Sequence, residues 1–177
     1  MVAAHDFGAY ASLVDVGGGG AQLLAGVLAA YPRLRGVVYD LEASLGEAAA
    51  TLREAGVEER AEIVAGSFYT SVPVGHDAYL LRQILHGQAD RELALVLRNV
   101  RAAMRPGAKI IILETLVPEP GARGAHPSFL DLQMLIGSGG RERTRAQYAA
   151  LLEAHGMRLL EVTRTASPTA VYVGEAR

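Results

Sequence analysis

The sequence predicts a doubly wound α/β fold: a mostly parallel seven-stranded sheet that ends in an antiparallel hairpin. Three observations predict it. Short apolar runs rich in β-branched residues alternate with segments of helical periodicity, which is the pattern of successive βαβ units. The inner runs are apolar nearly throughout, as strands covered by helices on both faces must be. Each of the first five runs ends in a glycine loop or a polar side chain, and right-handed crossovers bring all those ends to one edge of the sheet.

Ser12–Val16 (SLVDV) reads as the first strand, stopped by Gly17–Gly20. Leu24, Val27, Leu28 and Tyr31 then recur at helical spacing until Pro32 ends the helix. Gly36–Asp40 is the second strand. Leu45, Ala48, Ala49 and Leu52 mark the second helix, with Gly56 its C-cap. Glu62–Gly66 is the third strand and Asp77–Leu85 the fourth. Asp90 is placed to cap a helix whose buried stripe is Leu93, Val96, Leu97, Val100 and Met104, with Pro106–Gly107 as its stop. Lys109–Leu113 is the fifth strand. A Pro/Gly-rich loop spans Pro118–Pro127. Ser128–Ile136 fits either period and is read as a helix near the site. Thr144 and Gln147 form a capping box for a helix carrying Tyr148, Leu151 and Leu152, ended by Gly156. Met157–Thr165 and Ala170–Glu175 are the last two strands.

The 177 residues suffice for one domain, 1–177, with a full core, and neither a repeat nor a linker divides them. Half the residues are apolar, which excludes disorder. A net charge of −2 with scattered arginines argues against nucleic acid as a partner. The absence of cysteine rules out disulfides and thiolate metal sites, and the histidines show no metal-ligand spacing. No apolar run reaches the roughly 20 residues needed to cross a bilayer. MVAAHDFGAY lacks the pattern of a signal peptide, so no membrane partner and a cytoplasmic location are expected.

Ligands of open α/β sheets bind outside the carboxyl ends of the strands. In this chain those ends carry Gly17–Gly20, Asp40, Gly66–Ser67, His86 and Glu114. A glycine loop lets a ligand touch the backbone, and the following helix offers free N–H groups to an anion. Such a loop can equally serve only to pack helix on strand. Asp40, 23 residues past Gly17, can accept hydrogen bonds from both ribose hydroxyls or act simply as a cap. Together they point to an adenosine-containing ligand without separating nicotinamide from a sulfonium cofactor. The loop misses the dinucleotide pattern G-x-G-x-x-G, since Gln22 occupies its last position.

Four stretches resemble the catalytic domain of the caffeate-type and polyketide-type O-methyltransferases (methyltransferase family 2): LVDVGGGGAQLL, VVYDL, GSFYTSVPVGHDAYLLRQILH, and GGRERT followed by a helix. They run in order through nearly the whole chain. Asp15 before the glycines favours a methyltransferase over a dehydrogenase. The resemblance implies a Rossmann-like class I methyltransferase sheet and S-adenosylmethionine as cofactor, with S-adenosylhomocysteine as product. By the same resemblance Asp15 would belong to the cofactor site, Gly17 and Gly19 would line the methionine part of the cofactor, and Asp40 would hold the ribose. Leu41, Ser67 and Phe68 would surround the adenine, and Arg82 would lie near the cofactor. His86 matches the general base, Glu114 and Glu142 the carboxylates that orient it, and Asp131 and Met134 the acceptor wall. The acceptor would be a phenolic or other hydroxyl of a small aromatic natural product.

The chain departs from that pattern at Gly87 and Gln88, where the family has Asp and Trp, and at Ala21, the third loop glycine. The family's N-terminal helical dimerisation domain is not in this sequence, so a monomer or weak dimer with a partly open acceptor pocket is expected. Two other readings stand beside the methyltransferase. One is a relative that uses the cofactor pocket for different chemistry or as a non-catalytic subunit. The other is a nicotinamide-binding module.

Overall fold

The computed structural model describes residues 4–118 and 139–177. The elements run β1 (Ser12–Val16), α1 (Gln22–Ala30), β2 (Arg35–Asp40), α2 (Ala48–Glu54), β3 (Ala61–Ala65), β4 (Ala78–Arg82), α3 (Asp90–Ala103), β5 (Lys109–Thr115), α4 (Arg145–Ala154), β6 (Met157–Arg164) and β7 (Thr169–Ala176). They form one seven-stranded sheet in the order β3-β2-β1-β4-β5-β7-β6. The first five strands are mutually parallel, and β7 pairs antiparallel with both β5 and β6. The expected hairpin is therefore present, with its second strand inserted between β5 and β6.

Side-chain alternation along the strands builds two cores, one on each face. Val14, Val16, Tyr79, Leu81, Ile110 and Ile112 face α3 and α4, packing on Leu93, Val96, Leu97, Val100, Tyr148 and Leu152. Leu13, Val38, Leu80, Ile111 and Leu113 face α1 and α2, packing on Leu24, Leu28, Ala48 and Leu52. Alternate residues of one strand thus serve opposite cores, which is why the strands read as unbroken apolar runs. The same alternation sorts the polar residues. Asp15, Asp40 and Arg82 share the parity of the α1 face, and Glu114 that of the α3 face.

Three expectations are corrected. The fourth strand stops at Arg82 rather than Leu85, because Gln83 turns the chain with a left-handed φ of 53°. Of the apolar residues beyond it, Leu85 is buried and Ile84 half-buried, through the turn and not through strand pairing. Asp90 is the first residue of α3 rather than its cap; Ala89 holds the cap position, and the Asp90 carboxylate is drawn to Arg141 and Arg143. Glu114 lies inside β5 and not past its end. The predicted Ser128–Ile136 helix lies outside the described residues. None of the described helices is long and apolar enough to cross a membrane.

Candidate active site

The first half of the site lies at the switch point, where β1 sits between β2 and β4. The backbone reverses through Gly17 (φ 75°), Gly19 (φ 51°) and Ala21 (φ 65°) before entering α1. A β-carbon at Gly17 would stand 2.4 Å from Ile84 Cδ1. At Gly19 it would meet nothing but Asp40 Oδ2, at 4.0 Å, so Gly19 opens onto a cradle beside that carboxylate. Asp40 accepts hydrogen bonds from the Gly19 amide (2.9 Å) and the Leu41 amide (2.7 Å), which ties the glycine loop to the end of β2. Leu41 is 54% exposed, a large apolar side chain at the rim with no core to cover it. Phe68 packs edge-on against Tyr69, and Ser67 holds the same loop through its contacts with Tyr69 and Thr70. Tyr69 donates its hydroxyl to Gln88, whose amide in turn donates to the Ile84 carbonyl (3.1 Å), linking the loops after β3 and β4.

Asp15 lies beneath this loop, 2% exposed. Burial pushes its carboxyl up to about 7, against the opposing charge of Arg82 and an amide hydrogen bond from Leu24, with the Asp40 charge adding to the rise. Arg82 is exposed at the end of β4 and contributes through that charge.

The second half is a compact cluster. His86 Nδ1 lies 3.0 Å from Glu142 Oε1 and 3.6 Å from Glu114 Oε2. Glu114 Oε1 also accepts the amides of Leu85 (2.9 Å) and His86 (3.2 Å), so one buried carboxylate faces the His86 ring and holds its backbone. The hydrogen bond to Glu142 raises the His86 imidazole above its ordinary value, outweighing the effect of burial, and the charges of both glutamates add to the rise. Burial pushes Glu114 up to about 7, despite the compensating His86 charge. Of the sequence-predicted site residues, Asp131 and Met134 lie outside the described residues. The donor atoms of His86, Glu114 and Glu142 fall within 4.8 Å of one another, a grouping dense enough for a metal ion that histidine spacing does not reveal. Its chemistry is equally that of an imidazole oriented by two acids.

Arg143 is a site residue that sequence reasoning misses: it is 1% exposed and reaches the turn that carries His86. Its one signal is a basic residue adjacent to a candidate acid within GGRERT. A cavity of about 620 Å³ lies at the opposite edge of the sheet around Tyr10, Asp77 and Arg105 and collects none of the candidate residues.

A seven-stranded sheet with the order 3-2-1-4-5-7-6, parallel except at β7, a glycine loop facing an acid at the switch point, and an adjacent His–Glu–Glu cluster define a class I methyltransferase domain. The model of the O-methyltransferase domain family matches residues 1–158, and the chain belongs to that family. It is similar to the O-demethylpuromycin-O-methyltransferase of Streptomyces alboniger, 44% identical over 160 residues that make up 89% of this chain and 43% of that protein. Among solved structures it resembles the mitomycin 7-O-methyltransferase, with a TM-score of 0.93 and 34% identity over 99% of this chain and 52% of that one. It also resembles an O-methyltransferase of neocarzinostatin biosynthesis, solved with S-adenosylmethionine and 2-hydroxy-5-methyl naphthoic acid (TM-score 0.88, 30% identity, 99% and 52% covered). Relatives with a different activity in the name include the aclacinomycin 10-hydroxylase of Streptomyces purpurascens, 32% identical over 94% of this chain and 45% of that protein. The chain spans about half the length of the curated relatives it matches.

Proposed function

We propose that this chain is the catalytic domain of an S-adenosylmethionine-dependent O-methyltransferase that acts on a phenolic or other hydroxyl of a small aromatic natural product, with His86 as general base. The observation that carries the reading is His86 held against two buried glutamates at the sheet edge that also bears the glycine cradle and Asp40.

The residues present fit the cofactor. Gly19 leaves open space beside Asp40, a carboxylate suited to a ribose diol, and the exposed Leu41 and the Phe68–Tyr69 pair offer apolar surface for adenine. When bound, S-adenosylmethionine supplies a sulfonium methyl group that is already electrophilic. The protein's task is alignment and removal of one proton. An acceptor phenol holds its proton up to a pKa of about 10, so a base must take it as the oxygen attacks. With Nδ1–H donated to Glu142, His86 presents the Nε2 lone pair; that nitrogen would take the acceptor's proton as the methyl group passes to the oxygen, its bond to sulfur breaking to leave the neutral thioether S-adenosylhomocysteine. Glu142 and Glu114 fix the tautomer of the neutral imidazole beforehand and stabilise the imidazolium that forms. The aromatic acceptor class is supported by the named substrates of relatives, including the naphthoic acid of the neocarzinostatin enzyme.

The test is methyl transfer to a panel of phenols by wild type and His86→Ala, with S-adenosylhomocysteine affinity measured in parallel. Transfer falling by about 10²-fold or more with affinity unchanged supports the base; full transfer by the variant refutes it. A second reading, a relative with other chemistry in the same pocket, is favoured by the aclacinomycin 10-hydroxylase likeness and by Gly87 and Gln88. Cofactor binding without transfer to any hydroxyl would select it.

A further inference from the structure

His86 belongs to the turn Leu85–Gln88, closed by a hydrogen bond from the Gln88 amide to the Leu85 carbonyl (3.2 Å). Segment 140–144 grips this turn at three levels. A β-carbon at Gly140 would lie 2.1 Å from the His86 carbonyl oxygen and 2.8 Å from the Gly87 carbonyl carbon, so backbone packs on backbone with no room for a side chain. Glu142 meets the His86 imidazole. Arg143, the next residue, holds the main chain on either side of it: Nη1 donates to the Leu85 carbonyl (3.0 Å), and Nη2 to the Gln88 carbonyl (3.4 Å) and Asp90 Oδ1 (2.8 Å). A further bond from Nη1 to the Arg141 carbonyl (3.1 Å) stiffens the segment itself. Thr144 caps α4 and bridges Val117, so the clamp is anchored beside the end of β5.

We propose that Arg143 is a positioning residue for the base: its guanidinium fixes the His86 turn against segment 140–144, so that His86 Nδ1 meets Glu142. A buried guanidinium is expensive unless its donors are used, and apolar replacements of buried charges are often no less stable. Its ionic partner Asp90 is two-thirds exposed, which weakens that pair as a source of stability. What the planar fork supplies is geometry, since it spans two carbonyls and a carboxylate at fixed angles that a lysine cannot match. Glu114 holds the amides of Leu85 and His86 from the other side, and the two grips together leave the turn one orientation.

The proposal rests on the base role given to His86, but its test does not need an acceptor. The His86 imidazole is titrated by NMR in wild type, Arg143→Lys and Asp90→Asn, its signal identified by its loss in His86→Gln. The groups facing that ring are Glu114 of β5 and Glu142 of the clamp, with Arg143 behind the turn. Arg143→Lys loosens the Glu142 contact, so the His86 midpoint falls toward its ordinary value. Where an acceptor is known, kcat falls by about tenfold or more with KM and S-adenosylhomocysteine affinity changed by less than about threefold. A folded Arg143→Lys protein with wild-type titration and wild-type kcat overturns the proposal, because a merely structural role would lower Tm and leave both in place. If Arg143→Lys does not fold, Asp90→Asn decides: a smaller fall of the midpoint in the same direction supports the clamp, and an unchanged midpoint refutes it. If wild type transfers methyl to nothing yet Arg143→Lys moves the His86 midpoint, positioning stands and the base role fails.

Discussion

Substituting alanine at Gly17 and at Gly19 separates the two jobs of the glycine loop. Both positions have left-handed φ angles, 75° and 51°, which cost an L-residue about 1–2 kcal/mol. They differ in what the new methyl meets. At Gly17 it stands 2.4 Å from Ile84 Cδ1 and 3.2 Å from Cγ1, so Ile84 must leave its rotamer at a further cost of about 0.5–1.5 kcal/mol. The sum, about 1.5–3.5 kcal/mol, lowers Tm by about 3–14 °C in a domain of this size. At Gly19 the methyl enters the cradle facing Asp40 and strikes nothing, so stability falls only by the backbone term, about 2–8 °C. The cradle, however, is filled, and S-adenosylhomocysteine affinity drops by about tenfold or more, which is about 1.4 kcal/mol. Thermal melts and calorimetric titration of the two variants, with Gly46→Ala as a control that has nothing within 4 Å, read both quantities. The reasoning is refuted if Gly19→Ala binds like wild type, or if it destabilises more than Gly17→Ala.

Other outcomes follow from the buried acids and the clamp. Asp15 has its folded value raised from 3.8 to about 7, so the stability linked to its neutral form is complete below pH 3.8 and is lost as pH rises through 7. Glu114, raised to about 7, has the same sign. Tm is therefore expected to fall between about pH 4 and 7, and Asp15→Asn to flatten that decline; an equally steep decline in the variant would show that Asp15 is not the source. Gly140→Ala forces the His86 turn aside and is expected to cost about 1–3 kcal/mol of stability, along with a weakened His86–Glu142 contact. A wild-type melt for that variant would mean the close approach is not maintained.

Much of this architecture is legible in the amino-acid sequence. Periodicity marks the seven strands and four of the helices because alternate residues of each strand bury themselves in opposite cores, leaving unbroken apolar runs. Strand-end logic brings Asp40, the glycine loop and His86 to one edge. The parity of Asp15 and Arg82 on the α1 face and of Glu114 on the α3 face is not legible, since it depends on register. The end of β4 is misplaced by periodicity because Ile84 and Leu85 are as apolar as a strand, although the left-handed turn at Gln83 puts them in a loop. Asp90 looks like a cap because nothing in the local sequence shows that Arg143, 53 residues away, competes for its carboxylate. Arg143 itself stays hidden, since an arginine in a polar motif gives no sign that folding will bury it under the turn bearing His86.

The central claim is that the β1 loop and Asp40 bind an adenosine-containing methyl donor. Calorimetric titration with S-adenosylhomocysteine of wild type and of Asp40→Asn tests it most directly. The account predicts wild-type binding at about micromolar Kd and a loss of about tenfold or more in the variant, where a neutral amide replaces a charged acceptor. Absence of binding by wild type, or equal binding by Asp40→Asn, would contradict it.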